Sequence, residues 1–156
     1  MERRARAMEK IFLSKDAFNL VIASLLDLEE RKTEYLDSFF PLLTKERESM
    51  DDMITNYIQR MDDTLARISV VDSPRFNKFP FVVVGSNITV QDMESQSMSD
   101  FRLITPSEPT VKAGDISIFS PIGKALLLKE NNLVVKYEAP GGVFCYKILS
   151  ILLSSL

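Results

Sequence analysis

The first 72 residues contain no glycine and one proline, Pro41, whereas all five glycines and the other six prolines fall after residue 72. A stretch so free of helix breakers folds as helix wherever its apolar residues recur at helical spacing. They recur in two runs. Phe18, Val21, Leu25, Leu28, Lys32, Tyr35, Phe39 and Leu42 are separated by 3, 4, 3, 4, 3, 4 and 3 residues, and Ile54, Ile58, Met61, Leu65 and Ile68 by 4, 3, 4 and 3. Such a seam buries one stripe of each helix against the other. Two helices joined by a few residues form an antiparallel hairpin. Lys32 occupies a seam position and must carry its ammonium outward along its stem. Ser14 is placed to cap the first helix, and Ser49-Met50-Asp51-Asp52 has the form of a capping box with Asp for Glu.

The hairpin turn has two candidate positions. Symmetry between Ser14 and Asp72 places it near residue 43, and Pro41 agrees with a break there. A turn over Thr44–Ser49 puts Glu46 and Glu48 at the tip, with Asp51 and Asp52 in the first turn of the second helix, where acids also suit the helix dipole. A turn over Phe39–Leu43 leaves a mostly apolar tip, with the four acids along a helix flank.

Past Asp72-Ser73-Pro74 the periodicity changes from helical to alternating. Residues 1–72 hold 11 Lys and Arg against 15 Asp and Glu, so −4; residues 73–156 hold 8 against 7, so +1. Phe81–Val84, Asn87–Val90, Phe101–Thr105, Asp115–Phe119, Leu133–Glu138 and Phe144–Leu152 read as strands. Pro140-Gly141-Gly142 turns the last two into a hairpin. Ser120 as N-cap and Pro121 at the first helical position open one short helix between strands. The expected fold is α+β: a helical hairpin over 1–72, a linker over 73–78 and an antiparallel-sheet domain with one short helix over 79–156.

Composition removes several chemistries. The chain has no His, which excludes His-based triads and the commonest metal ligand. A single Cys, Cys145, excludes an internal disulfide and a multi-Cys zinc site, and reads as a small buried strand residue. With a net charge of −3 and no basic stripe beyond Arg3, Arg4 and Arg6, sequence-specific DNA binding is not expected. Those arginines read as a loose basic extension over residues 1–7, with Met8 as an alternative start, rather than a secretory signal, because Lys15 and Asp16 interrupt the apolar stretch that follows. No stretch reaches the ~20 apolar residues of a membrane span, so a cytoplasmic address is expected; a monomer is expected as well.

One group of residues is less generic. Val84-Gly85-Ser86 with Thr89-Val90, then Phe101-Arg102-Leu103-Ile104, then Ile116-Ser117-Ile118-Phe119-Ser120-Pro121-Ile122-Gly123-Lys124-Ala125-Leu126, and finally Ala139-Pro140-Gly141-Gly142 with Tyr146-Lys147-Ile148 together resemble the GreA/GreB family of bacterial transcription elongation factors. The resemblance covers residues 79–152; the first half agrees by architecture only. It implies an FKBP-like C-terminal domain that docks on RNA polymerase at the rim of the secondary channel, and a hairpin that reaches down the channel. The partners it implies are RNA polymerase and, indirectly, the RNA and DNA of the elongation complex.

Residue by residue, the resemblance places the docking loop on Ser120 and Pro121, with Gly123 and Lys124 behind. Phe119 stands where the family usually has Asp or Asn, and is either an exposed anchor or a buried strand end. In the family, acids at the hairpin tip help hold a second Mg²⁺ in the polymerase site and position water for cleavage of backtracked RNA, chemistry that suits carboxylates because hard cations take oxygen ligands. The candidates here are Glu46, Glu48, Asp51 and Asp52. The family's tip motif, an Asp and a Glu near an Asn and Tyr, is not reproduced; Asn56-Tyr57 lies past the turn. The resemblance therefore implies no resident cofactor and no enzyme in its own right, only stimulation of cleavage by the polymerase through a shared Mg²⁺. The hairpin is about ten residues shorter than is usual in cleavage factors, a loss of reach of about 7–8 Å at ~1.5 Å per residue. That brings in an alternative, the Rnk-type or inhibitory relatives that bind polymerase without cleavage. An interaction module for another partner, and a prolyl isomerase suggested by fold alone, are the readings from other classes.

Overall fold

The Ser14 hydroxyl accepts the Ala17 N–H at 3.1 Å, and from this cap the first helix runs without interruption. The structure, a computed structural model, describes residues 9–154; the expected basic extension over 1–7 lies outside the described residues. In chain order the elements are β1 (Ile11–Ser14), α1 (Lys15–Phe39), α2 (Lys45–Leu65), β2 (Ile68–Val71), β3 (Asn87–Asp92), β4 (Met98–Ile104), β5 (Asp115–Ser117), α3 (Pro121–Leu126), β6 (Val134–Ala139) and β7 (Gly142–Leu152). The chain divides into two compact units between Asn77 and Lys78.

The first unit is the expected helical hairpin. Its seam is made by Val21, Leu25, Leu28, Tyr35 and Leu36 of α1 against Met50, Ile54, Tyr57, Met61 and Thr64 of α2. In α2, Ile54 and Met61 are buried as expected, whereas Tyr57 and Thr64 are buried where Ile58 and Leu65 were expected. Adjacent apolar residues made both registers compatible with the same spacing. Lys32 sends its ammonium across the seam edge, donating to Asp51 Oδ1 at 2.8 Å and Thr55 Oγ1 at 3.3 Å. Thr44, not Ser49, caps α2, so the expected box at Ser49–Asp52 lies inside the helix.

A pair of strands at the open end of the hairpin was not expected from the sequence. β1 and β2 pair in parallel, Ile11 opposite Ile68 and Ser14 opposite Val71. Residues after β2 fold back on this pair: Ser14 N–H donates to the Phe76 carbonyl at 2.7 Å, and the Phe12 and Phe76 rings meet edge-on at 6.4 Å.

The second unit is a five-stranded sheet of order β5-β4-β3-β7-β6 with the one short helix, α3. Every ladder is antiparallel except β4–β5. Ile88, Val90, Leu103, Ile148 and Ile151 line the buried face, closed by Ile118, Leu126 and Leu127. Phe81–Val84, expected as a strand, is a buried irregular segment with a single bridge from Phe81 to Glu130. It ends at Gly85, whose φ of 91° takes the chain out of extended geometry. The β6–β7 hairpin forms as expected, and Tyr137 stacks on both Phe144 and Tyr146 at centroid distances of 5.3 and 5.8 Å. Burial, with a hydrogen bond to Tyr146, pushes the Tyr137 hydroxyl up to about 12. Cys145 lies on β7 opposite Lys136 and is only partly buried.

Candidate functional site

Two surfaces carry the residues singled out from the sequence. One is the elbow between β5 and α3. Ser120 caps α3: its hydroxyl accepts the Gly123 N–H at 3.0 Å and donates to the Ser117 carbonyl at 2.7 Å. Ser120 N–H donates to the same carbonyl at 3.0 Å, and Lys124 N–H donates to the Ser120 carbonyl at 2.9 Å. Ser117 Oγ accepts the Phe119 N–H at 3.0 Å. A Cβ at position 123 would overlap the Ser117 carbonyl oxygen, so the elbow closes only around glycine. The elbow thus brings all five expected docking residues together. Pro121 and Lys124 are exposed, Phe119 and Ser120 are half-buried, and Gly123 is buried. With the Ser120 hydroxyl committed internally, the outward chemistry is the Pro121 ring, the Lys124 ammonium and part of Phe119. Ser117 was absent from the expected contact set and is the acceptor on which the elbow is built; the Ser-x-x-Ser spacing of residues 117 and 120 carries that signal.

Behind the elbow, Arg102 donates to Asp115 through Nε at 2.9 Å and Nη2 at 2.6 Å, and Lys112 N–H donates to the same carboxylate at 2.6 Å. The Arg102 hydrogen bond holds the Asp115 carboxyl below the ordinary carboxylate range against the opposing effect of burial. This fixes β5, and with it the strand end from which the elbow departs.

The other surface is the hairpin tip. Pro41 disfavours helix in the residue before it, and α1 accordingly ends at Phe39. The connection to α2 is residues 40–44, which agrees with the candidate turn over Phe39–Leu43 and not with Thr44–Ser49. Arg47 braces it: one guanidinium nitrogen donates to the Phe40 carbonyl at 2.9 Å, the other to Asp37 Oδ1 at 2.8 Å. The Thr44 hydroxyl accepts the Arg47 N–H at 3.3 Å. Arg47 was not anticipated from the sequence, where it reads as one more charge on a polar helix.

The four candidate acids lie along α2 and not in the turn. Glu46 and Glu48 are exposed in its first helical turn, and Asp52 is exposed beyond them. At 100° per residue Glu46 points roughly opposite to Glu48, whereas Glu48, Asp51 and Asp52 share one side. Asp51 is tied to Lys32, whose hydrogen bond holds its carboxyl below the ordinary range. Among the described residues no three His, Cys, Asp or Glu side chains converge to hold a metal ion. The tip itself is apolar: Leu42 is 71% exposed and Leu43 94%. No helix among the described residues is long and apolar enough to cross a membrane.

The elbow lies inside a stretch that matches known proteins. Residues 78–152 match the family model for the C-terminal domain of the transcription elongation factors GreA and GreB. Transcription elongation factor GreA of Thermodesulfovibrio yellowstonii is 40% identical over 98 residues, which is 63% of this chain and 61% of that protein. Its counterpart in Maricaulis maris is 35% identical over 98 residues, 63% of this chain and 62% of that protein. The matched region thus spans about three fifths of the length of these curated relatives. A solved GreA/GreB elongation factor from Nitrosomonas europaea aligns over 92% of this chain and 99% of its own, with 24% identity and a TM-score of 0.48. Residues 78–152 are thus a domain of the GreA/GreB C-terminal type.

Proposed function

We propose that this protein is a transcription elongation factor that binds bacterial RNA polymerase at the rim of the secondary channel through the Ser117–Lys124 elbow, and regulates elongation through its helical hairpin. The observation that supports this is the elbow itself, a rigid turn inside the family domain that presents Pro121 and Lys124 outward. The relatives carrying the same domain are named transcription elongation factor GreA. The protein works as a cytoplasmic monomer with no cofactor of its own. Any Mg²⁺ at the hairpin tip belongs to the polymerase, to which the tip acids would add oxygen ligands.

A second reading, channel occupancy without cleavage, is favoured by one specific observation. The turn carries exposed leucines, and its acids are set back along α2 with Asp51 already paired. Catalytic positioning fails over errors of ~1 Å, so carboxylates displaced from the turn are poor metal ligands unless docking brings them closer.

Transcript cleavage in a backtracked complex of the organism's own polymerase divides the two readings. Faster release of short 3′ RNA fragments, lost on changing Glu46 and Glu48 to Gln and Asp51 and Asp52 to Asn, supports the cleavage role. No acceleration with binding intact supports occupancy. Pro121→Ala should weaken retention on immobilised polymerase about tenfold or more, as loss of a central contact does; unchanged retention overturns the docking assignment.

A further inference from the structure

The least covered apolar side chains of the hairpin sit at its tip. Phe39, Leu42 and Leu43 are 54%, 71% and 94% exposed. A single exposed leucine needs no explanation, but adjacent ones at the end of a projecting element do. The turn that carries them is held rigid. Arg47 is only 20% exposed and holds the Phe40 carbonyl and Asp37 together, while Thr44 N–H closes the turn onto the Leu42 carbonyl at 2.9 Å. A rigid apolar presentation lowers the ordering cost of binding.

We infer that Leu42 and Leu43 are an apolar anchor that seats the hairpin tip in a pocket of the polymerase protein wall with an apolar floor and a positively charged rim. This rests on the polymerase-binding reading and specifies how the tip engages. The charge around the leucines selects the occupant. Residues 31–52 hold six acids, Glu34, Asp37, Glu46, Glu48, Asp51 and Asp52, against four bases, Arg31, Lys32, Lys45 and Arg47; Arg31 pairs with Glu34, Lys32 with Asp51 and Arg47 with Asp37, which leaves Glu46, Glu48 and Asp52 against Lys45. Such a tip repels the phosphates of RNA and DNA. It also repels a second copy of itself, because the same excess of negative charge would meet across a two-fold contact. A metal ion is not the anchor, since the acids do not converge and the outermost side chains are aliphatic. What remains is a protein pocket that takes two leucines and offers cations to Glu46, Glu48 and Asp52.

The test is equilibrium binding of the full chain to immobilised RNA polymerase core, with sedimentation of the free protein alongside. Leu42→Ser with Leu43→Ser should weaken binding about 100-fold or more, the loss expected when two buried leucines are removed. Its thermal unfolding should match that of the unaltered chain, because both side chains already face solvent. Leu42→Met with Leu43→Met should restore affinity to within about threefold. Raising the salt should weaken the unaltered chain and the Met variant together, through the charged rim. Full-strength binding by the Ser variant overturns the anchor while leaving the polymerase reading in place. Absence of binding by the unaltered chain overturns both. A loss of affinity in Glu46→Gln with Glu48→Gln while the Ser variant binds at full strength assigns the tip to its carboxylates and overturns the anchor. So does a dimer of the free protein that the Ser variant dissolves.

Discussion

The two units bury their apolar side chains in different ways. In the sheet unit, strands from across the sequence close a core around Ile88, Leu103 and Ile148, and α3 and its elbow cover one side of it. Local chemistry sets the elbow: a serine cap, a proline at the first helical position and a glycine under a carbonyl. In the hairpin unit the core is one stripe wide and ends at Tyr35, Leu36 and Met50. Beyond that point the helix period no longer dictates which residue goes where, and the turn is held by a side chain, Arg47. The part of the protein that matches the family model, residues 78–152, is the part whose backbone leaves little choice. The tip is free to carry different chemistry because the fold asks little of it.

The largest test of this contrast is truncation in the closed core. Leu103→Ala, at a fully buried position on β4, should cost about 3 kcal/mol in urea unfolding, since the surrounding strands cannot collapse on the gap. The same measurement on Leu43→Ala should move by less than about 0.5 kcal/mol, because an exposed side chain leaves no cavity. Equal losses at the two positions would mean that the tip is packed. Next in size is Gly123→Ala. In an ordinary helix this exchange gains about 0.5–1 kcal/mol. Here the new Cβ would meet the Ser117 carbonyl oxygen, and the sign should reverse to a loss of about 2 kcal/mol. A stabilised variant would show that the elbow can open and is not the fixed platform described above.

How much of this was legible follows the same line. The elbow reads directly from Ser120-Pro121-x-Gly123, since capping and proline placement act within one turn. The hairpin reads from its 3–4 spacing, with Ile54 and Met61 buried as expected, but two α2 positions differ by one residue because Tyr57-Ile58 and Thr64-Leu65 offer a side chain at either phase. β1 and β2 were hidden: Ile11–Leu13 continues into the apolar run of α1, and Ile68 extends the α2 seam, so only the pairing across the chain separates strand from helix. Phe81–Val84 has the composition of a buried strand and is buried, yet Val82 bonds to loop residues, its N–H donating to the Lys129 carbonyl at 2.9 Å and its carbonyl accepting the Leu128 N–H at 2.8 Å. Composition reports burial there and not the ladder. Of the candidate acids, the sequence located them along the chain but left the turn open between two positions, and it could not say that Lys32 would claim Asp51.

The buried ion pair in the sheet unit gives the next effect. Asp115 has a side chain 3% exposed and accepts from Arg102 and the Lys112 backbone. Its folded-state pKa is lowered from 3.8, chiefly by the Arg102 hydrogen bond. The stabilisation is therefore complete above about pH 4, the ordinary range of an unfolded Asp, and is lost as pH falls through the lower folded-state value. Asp115→Asn should cost about 1–2 kcal/mol at neutral pH and flatten the acid limb of a stability–pH curve. An unchanged acid limb would mean that other carboxylates carry it.

Lys32→Met is the smallest expected effect and the sharpest probe of the hairpin. Lys32 and Asp51 are 31% and 46% exposed, so water screens the pair, and such pairs contribute about 0–1 kcal/mol. Met would fill the seam position with an apolar side chain of similar length and leave Asp51 free to face solvent. The expected change at neutral pH is within about 1 kcal/mol of zero, in either direction. The pH dependence separates the contributions. The Asp51 pKa is lowered from 3.8, with the Lys32 hydrogen bond as the first cause, so the pair stabilises above about pH 4 and fades as pH falls through the lower folded-state value. Lys32→Met should remove that part of the slope while leaving the Asp115 part, and the double variant with Asp115→Asn should remove both. A loss of several kcal/mol would instead mean that the Lys32–Asp51–Thr55 cluster, and not the apolar stripe, aligns the two helices. The hairpin would then be held by specific polar chemistry near its tip, as the elbow is held by its serine cap, and the contrast between the two units would fail.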